Sequence, residues 1–211
     1  MNKKLIISLI VVVSFIGTSF LEEKKIETIS IGSEAPLQDH EMKATSGDKL
    51  SIKSQLKDNG LIVVFSCNTC PFVIGGENFP GWEKDYNELS TLSNQNNIGF
   101  VLINSNEAKR KKGDGLKDMI ERSKEKDIKA PYLYDSKHKM ADAFGAKTTP
   151  HIFMFDKNMK LIYEGSIDNT WKPKVDKKET YLIDAIKAHS ENKEIKPNKT
   201  APKGCSIKRK S

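Results

Sequence analysis

The feature that most constrains this chain is a continuous apolar run that ends in a pair of cysteines. Leu61-Ile62-Val63-Val64-Phe65-Ser66 shows no alternation of polar and apolar residues, which is the pattern of a strand covered on both faces. Cys67-Asn68-Thr69-Cys70-Pro71 follows without a spacer. A strand of this kind requires helices on both sides of its sheet, so the run predicts an α/β domain with the cysteines just past the end of a central strand.

The spacing of the pair carries its own chemistry. Two intervening residues put both sulfurs in the first turn of a following helix, where a disulfide can close. Unpaired amides and the positive end of the helix dipole favour a thiolate there. On this reading Cys67 is the outward nucleophile, and Cys70, one turn further in, resolves a mixed disulfide. Pro71 removes an amide only at the start of the helix, where it is tolerated. Metal binding is the alternative, with His138, His151 or Cys205 joining the two cysteines. A closed zinc site calls for a second paired-ligand motif, which is absent. That leaves a copper site of two cysteines and one distant histidine as the metal reading.

The rest of the chain is read around this centre. Asn2-Lys3-Lys4, the aliphatic stretch Leu5 to Ile16 and the small residues after it have the layout of an export signal or an uncleaved N-terminal anchor over residues 1–20. The folded part is therefore expected outside the cytoplasm, in the periplasm or on the outer side of the inner membrane. Ser46-Gly47-Asp48 predicts a hairpin turn. Trp82, Tyr86, Leu89 and Leu92 predict a helix over roughly Gly81 to Asn94. Ile98 to Ile103 reads as a second buried strand, Leu116 to Ile120 as part of a second helix, and Tyr132 to Tyr134 as a short strand. His138 to Phe144 reads as a short helix closed by Gly145. His151 to Phe155 and Leu161 to Tyr163 form an antiparallel hairpin, and Tyr181 to His189 a last helix. This order predicts a mixed sheet with helices on both faces over residues 28–190, and a tail over 191–211 that carries Cys205.

Composition narrows the function classes. With 211 residues and 37% hydrophobic content, the chain holds one core and is not disordered. Its three cysteines are too few for a disulfide-built scaffold. Lys plus Arg outnumber Asp plus Glu, 35 to 28, but the lysines are interleaved with acids and no aromatic platform accompanies them, so no nucleic-acid partner is expected. The basic loop Lys109 to Lys112 is read as solvated surface.

Several motifs together resemble one superfamily. They are Cys67-Asn68-Thr69-Cys70-Pro71, Asn104-Ser105-Asn106 after the second strand, Pro131-Tyr132-Leu133-Tyr134-Asp135, Thr149-Pro150 with Phe155-Asp156, and Gly204-Cys205-Ser206-Ile207-Lys208. From about Ile31 to Lys210 the chain resembles thioredoxin-like proteins, and more narrowly exported redoxins of the thiol-specific-antioxidant type. The resemblance implies a cis peptide at Thr149-Pro150 facing the cysteines. It also implies that the residue before that proline offers backbone hydrogen bonds to a docked partner, and that the proline keeps the sulfurs from sharing a metal.

The sequence departs from the pattern in three places. Ser66 stands where thioredoxins have tryptophan, Leu61 where they have a buried acid, and Val64 where peroxiredoxins have threonine. Proton transfer to Cys70 must then use another group or water.

The resulting expectation is a thiol-disulfide oxidoreductase acting on extracytoplasmic proteins or small thiols. Its site residues are Cys67, Cys70, Thr149, Pro150 and Cys205, it needs no cofactor, and an upstream thiol reductant supplies electrons. A thiol-dependent peroxidase and a copper-binding or metal-delivery protein are the alternatives. Cys205 lies on a tail long enough to fold back and pair with Cys67 or Cys70.

Overall fold

The computed structural model describes residues 26–172 and 174–210. The expected signal or anchor over residues 1–20 lies outside the described residues. At the centre is β3 (Leu61–Ser66), paired parallel with β4 (Gly99–Asn104) on one side and antiparallel with β7 (His151–Phe155) on the other. With β1 (Met42–Ala44), β2 (Lys49–Leu50), β5 (Tyr132–Tyr134) and β8 (Leu161–Gly165), these make a seven-stranded mixed sheet in the order β2-β1-β5-β4-β3-β7-β8.

The period of two along each strand divides the apolar residues between two cores. Ile62, Val64, Phe100, Leu102, Ile152 and Met154 face one side, where Tyr86 and Leu89 of α2 (Tyr86–Gln95), Met119 of α3 (Leu116–Glu125) and Leu182 and Ile186 of α5 (Tyr181–Ser190) cover them. Leu61, Val63, Phe65, Val101, Ile103, Phe153 and Phe155 face the other, against Met140 and Phe144 of α4 (Lys139–Phe144). Each fully buried side chain of this size contributes roughly 1.5–3 kcal/mol. The sheet is thus sandwiched by helices, as its unbroken apolar strands require.

Register decides where the site lies. Ser66 pairs with Asn104 and Phe65 with His151. The residues that follow β3, those that follow β4 and those that precede β7 therefore meet at one end of the sheet.

Two local expectations change. The helix after the cysteines, α1 (Pro71–Ile74), has four residues and no more. Gly75 ends it at φ 98°, where a Cβ would stand 2.8 Å from the Pro80 carbonyl oxygen. The next helix begins at Tyr86, after a 3₁₀ turn over Glu83–Asp85. Trp82 precedes it yet is fully buried, with its indole N–H donating to Asp168 Oδ1 at 2.9 Å.

The tail folds back over the domain, as its length allowed, and it is tied down at several points. The Asn198 carbonyl accepts from Glu164 N–H, and Thr200 N–H donates to the Glu164 carbonyl at 2.9 Å, so this stretch runs along β8. Further on, β9 (Cys205–Ser206) pairs antiparallel with β6 (Thr148–Thr149), a two-stranded ladder that sequence patterning did not suggest. Ile207 is buried against the second core, and the Arg209 guanidinium donates to Asp142 and to the Ala141 and Ala146 carbonyls.

Candidate active site

β3 delivers Cys67 to the end of the sheet, and the bend Asn68-Thr69 leads to Cys70, which is the N-cap of α1 with Pro71 in the first turn. The thiols do not share a helical turn as expected. Only Cys70 caps the helix, because the chain must first leave the strand. Cys67 is not outward either: it is 1% exposed and Cys70 3%.

Thr149 draws both sulfurs together. Its hydroxyl is 3.1 Å from Cys67 Sγ, and its carbonyl oxygen accepts a hydrogen bond from the Cys70 thiol at 3.2 Å. The Thr149-Pro150 peptide is cis, as the resemblance implied. Cys205 completes the group, its amide donating to Cys70 Sγ at 3.4 Å. All five residues expected at the site therefore converge, and all three cysteines carry free thiols.

The two buried thiols differ in electrostatics. Burial pushes Cys67 well above its ordinary value, and its hydrogen bond to Cys70 and the negative charge of Asp114 push the same way. Cys70 is held down to about 5 by the hydrogen bond it receives from Cys67 and, against the cost of burial, by donors on Cys205 and Phe72. The pair gives up its first proton at Cys70, since a helix N-cap with amide donors stabilises a thiolate better than a buried strand end facing a carboxylate.

Asp114 is the residue that sequence reasoning missed. It is fully buried beneath the cysteine bend. Oδ1 accepts from the Asn68 amide at 2.7 Å and from Asn104 Nδ2 at 2.8 Å, while Oδ2 accepts from Thr69 Oγ1 at 2.7 Å and Asn106 Nδ2 at 3.1 Å. The carboxylate thus fixes the bend by its middle residues. Asn104, the last residue of β4, and Asn106 just beyond it are buried polar residues that required such an acceptor, and that requirement was the available signal.

Arg110 braces the same loop. Its guanidinium donates to Asn104, to the Asp114 carbonyl and to the Asp135 carbonyl, and it lies 3.9 Å over the Tyr134 ring. One member of the supposed solvated basic loop is therefore structural. Ser66, in place of tryptophan, is 2.8 Å from the Tyr86 hydroxyl. Burial raises the Tyr86 and Tyr132 phenols far above their ordinary value, so both stay protonated.

The histidines considered as metal ligands are engaged elsewhere. His151 Nδ1 accepts from the Lys147 amide, and Nε2 lies 2.6 Å from Glu164 Oε1. His138 bonds to Asp142 and to the Lys210 carbonyl. Among the described residues no group of three or more His, Cys, Asp or Glu stands together as a metal site.

The redoxin family model matches residues 30–182. The chain belongs to the redoxin family. No curated protein matches it. Among solved structures, this redoxin is similar to an uncharacterized conserved protein from Geobacillus kaustophilus, with 30% identity over 86% of this chain and 93% of that one, at a TM-score of 0.71. It is also similar to a hypothetical protein from Sinorhizobium meliloti 1021, with 25% identity, coverage of 88% and 97% and a TM-score of 0.72. The thioredoxin domain of a thiol-disulfide oxidoreductase from Bacteroides vulgatus matches at 15% identity, with coverage of 65% and 89% and a TM-score of 0.50, a likeness of fold. The fold is thioredoxin-like, and a redoxin on this fold is a thiol-based redox protein.

Proposed function

We propose that this redoxin is a thiol-disulfide oxidoreductase in which Cys67 and Cys70 form a reversible disulfide. The observation that carries this reading is the gathering of both sulfurs on Thr149, the Cys67 sulfur on its hydroxyl and the protonated Cys70 thiol on its carbonyl. In the reduced protein the Cys70 thiolate attacks a partner disulfide. A Cys70-partner bond forms, and one partner sulfur leaves as a thiolate. Cys67 then gives up its proton and attacks Cys70 Sγ, which closes the Cys67-Cys70 bond and expels the second partner sulfur, now reduced, with that proton. Two electrons pass from the pair to the partner, and every step runs in reverse when the partner is a dithiol.

Asp114 holds the bend between the cysteines in place through both approaches. The site of action in this reading is outside the cytoplasm, on proteins or small thiols, with a thiol donor upstream. The charged start and apolar stretch of residues 2–16 support that location.

The test is dithiothreitol-driven reduction of insulin disulfides by the purified protein, with hydrogen peroxide offered in parallel as the acceptor. The reading predicts acceleration with insulin that C70S abolishes. Turnover of peroxide without acceleration on insulin contradicts it in favour of a peroxidase.

A further inference from the structure

The pair that is meant to exchange with partners has almost no surface. Cys67 and Cys70 are buried, whereas Cys205 is only partly covered. The tail that carries Cys205 is also what covers them. Antiparallel register sets Cys205 opposite Thr149 and Ser206 opposite Thr148. Gly204 lies so close to the strand before the cis proline that a Cβ there would stand 2.2 Å from the Thr149 carbonyl oxygen. Lys203 Nζ sits 4.1 Å over the Trp171 ring and 5.5 Å over Phe72, fastening the tail just before the cysteine. The Cys205 amide donates a hydrogen bond to Cys70 Sγ at 3.4 Å.

This arrangement is more than a lid. A segment that merely covers the pair needs no sulfur at the position that meets Cys70, and no strand register to hold it there. We propose that Cys205 is the exchange thiol of this protein: it forms a second disulfide with Cys70, and partners react first at Cys205, a relay that takes the place of direct attack at the buried Cys70 in the two-cysteine scheme. The inference rests on the oxidoreductase reading and specifies how that site is reached.

The internal step balances without any outside reagent. Starting from the Cys67-Cys70 disulfide, the Cys205 thiolate attacks Cys70 Sγ. The Cys70-Cys205 bond forms as the Cys67-Cys70 bond breaks, and Cys67 leaves as a thiolate that takes up the proton Cys205 gave up. One disulfide and one thiol stand on each side, so no electrons are gained or lost. A partner thiolate then attacks the accessible Cys205 sulfur and expels Cys70. The mixed disulfide on Cys205 is released by a second partner thiol, which leaves the partner oxidised to a disulfide and the protein reduced by two electrons. The thiol acidities favour the second step, in which Cys70 is the sulfur expelled from Cys205, and oppose the first, in which Cys67 leaves with a raised pKa. Burial and the contact with Cys70 push Cys205 up to about 11, whereas Cys70 is the more acidic sulfur and the faster leaving group.

The test treats the C67S, C70S and C205S proteins with oxidised glutathione, quenches in acid, alkylates and maps the bonds by mass spectrometry. The C67S protein is expected to close a Cys70-Cys205 disulfide, and the C70S protein to carry glutathione on Cys205 rather than on Cys67. Oxidised C205S protein is expected to react with reduced glutathione about tenfold or more slowly than oxidised wild type. Separate glutathione adducts on Cys70 and Cys205 of the C67S protein, with no bond between them, overturn the proposal. So does faster reaction of C205S, which is what a simple cover predicts. Formation of Cys67-Cys70 in the C205S protein tests the parent reading alone, so failure of one is distinguishable from failure of the other.

Discussion

Cys205 and Thr149 are antiparallel partners in a ladder between the C-terminal tail and the strand that precedes the cis proline. The Thr149 carbonyl on that strand is also the acceptor for the Cys70 thiol. The tail therefore sits on the backbone edge beside the sulfurs, and whatever reaches them must deal with it.

Glycine at 204 is what permits this approach, so Gly204→Ala is expected to release the tail. The added methyl group meets Thr149 and Pro150 backbone atoms rather than a mobile side chain, and crowding of this kind costs about 1–3 kcal/mol. The Ile207 amide, which donates to the Lys147 carbonyl, should exchange its hydrogen much faster in the variant while the amides of β3 and β4 keep their protection. Unchanged protection at Ile207 contradicts the close contact.

The acidic thiol has a direct optical signature. Cys70 is lowered to about 5, against an ordinary cysteine near 8.5. Thiolate absorbance of the reduced protein should therefore be present at neutral pH and disappear as pH falls through about 5. The C70S protein should lack that transition. A first thiolate appearing only near the ordinary value contradicts the assignment.

Asp114→Asn places an amide among four donors. The Asn68 backbone N–H and the Thr69 hydroxyl point at the carboxylate from the bend itself, with Asn104 and Asn106 on the other side. Leaving buried donors unsatisfied costs about 1–3 kcal/mol each. We expect a stability loss on the order of 2–4 kcal/mol by urea unfolding. Loss of the negative charge that raises Cys67 should also bring the second thiol's titration down. A neutral effect on both contradicts the role given to Asp114.

His151 makes the fold sensitive to acid. Burial lowers its pKa below the ordinary histidine value, although Glu164 acts in the opposite sense. The folded state therefore holds the neutral ring, and the unfolded chain binds a proton first as pH drops. The sign follows: stability is intact above about 6.5 and declines below it, by up to about 1.4 kcal/mol per pH unit. The depressed Glu164 carboxyl, which its bond to His151 and the Lys199 charge hold down against burial, adds a loss of the same sign at lower pH. Urea unfolding of the oxidised protein, in which the bonded cysteines do not titrate, should show a lower midpoint at pH 5 than at pH 7. Equal midpoints contradict this.

The sheet was legible because β3, β4 and β7 are runs of apolar residues that only a doubly covered strand explains. The convergence of Cys67, Cys70, Thr149, Pro150 and Cys205 was legible through motif resemblance. What the sequence did not disclose arises from contacts between distant residues. Asp114 lies in a loop with no periodicity, and only the fold brings it under Asn68 and Thr69. The depth of Cys67 and the acidity of Cys70 depend on where α1 starts and on the tail amide at Cys205, neither of which spacing encodes. The shortness of α1 was more accessible, because Gly75-Gly76 and Pro80 stand where a longer helix would run.

The central claim is that Cys67 and Cys70 are a reversible redox pair. Its most direct test is equilibration of the purified protein in glutathione buffers of defined ratio, followed by acid quench, alkylation and disulfide mapping. The account predicts a Cys67-Cys70 bond that forms and breaks with the buffer, following a two-electron dependence of about 30 mV per tenfold change in the equilibrium constant. Thiols that stay reduced at both positions across the whole range, or a bond that never opens, would contradict it.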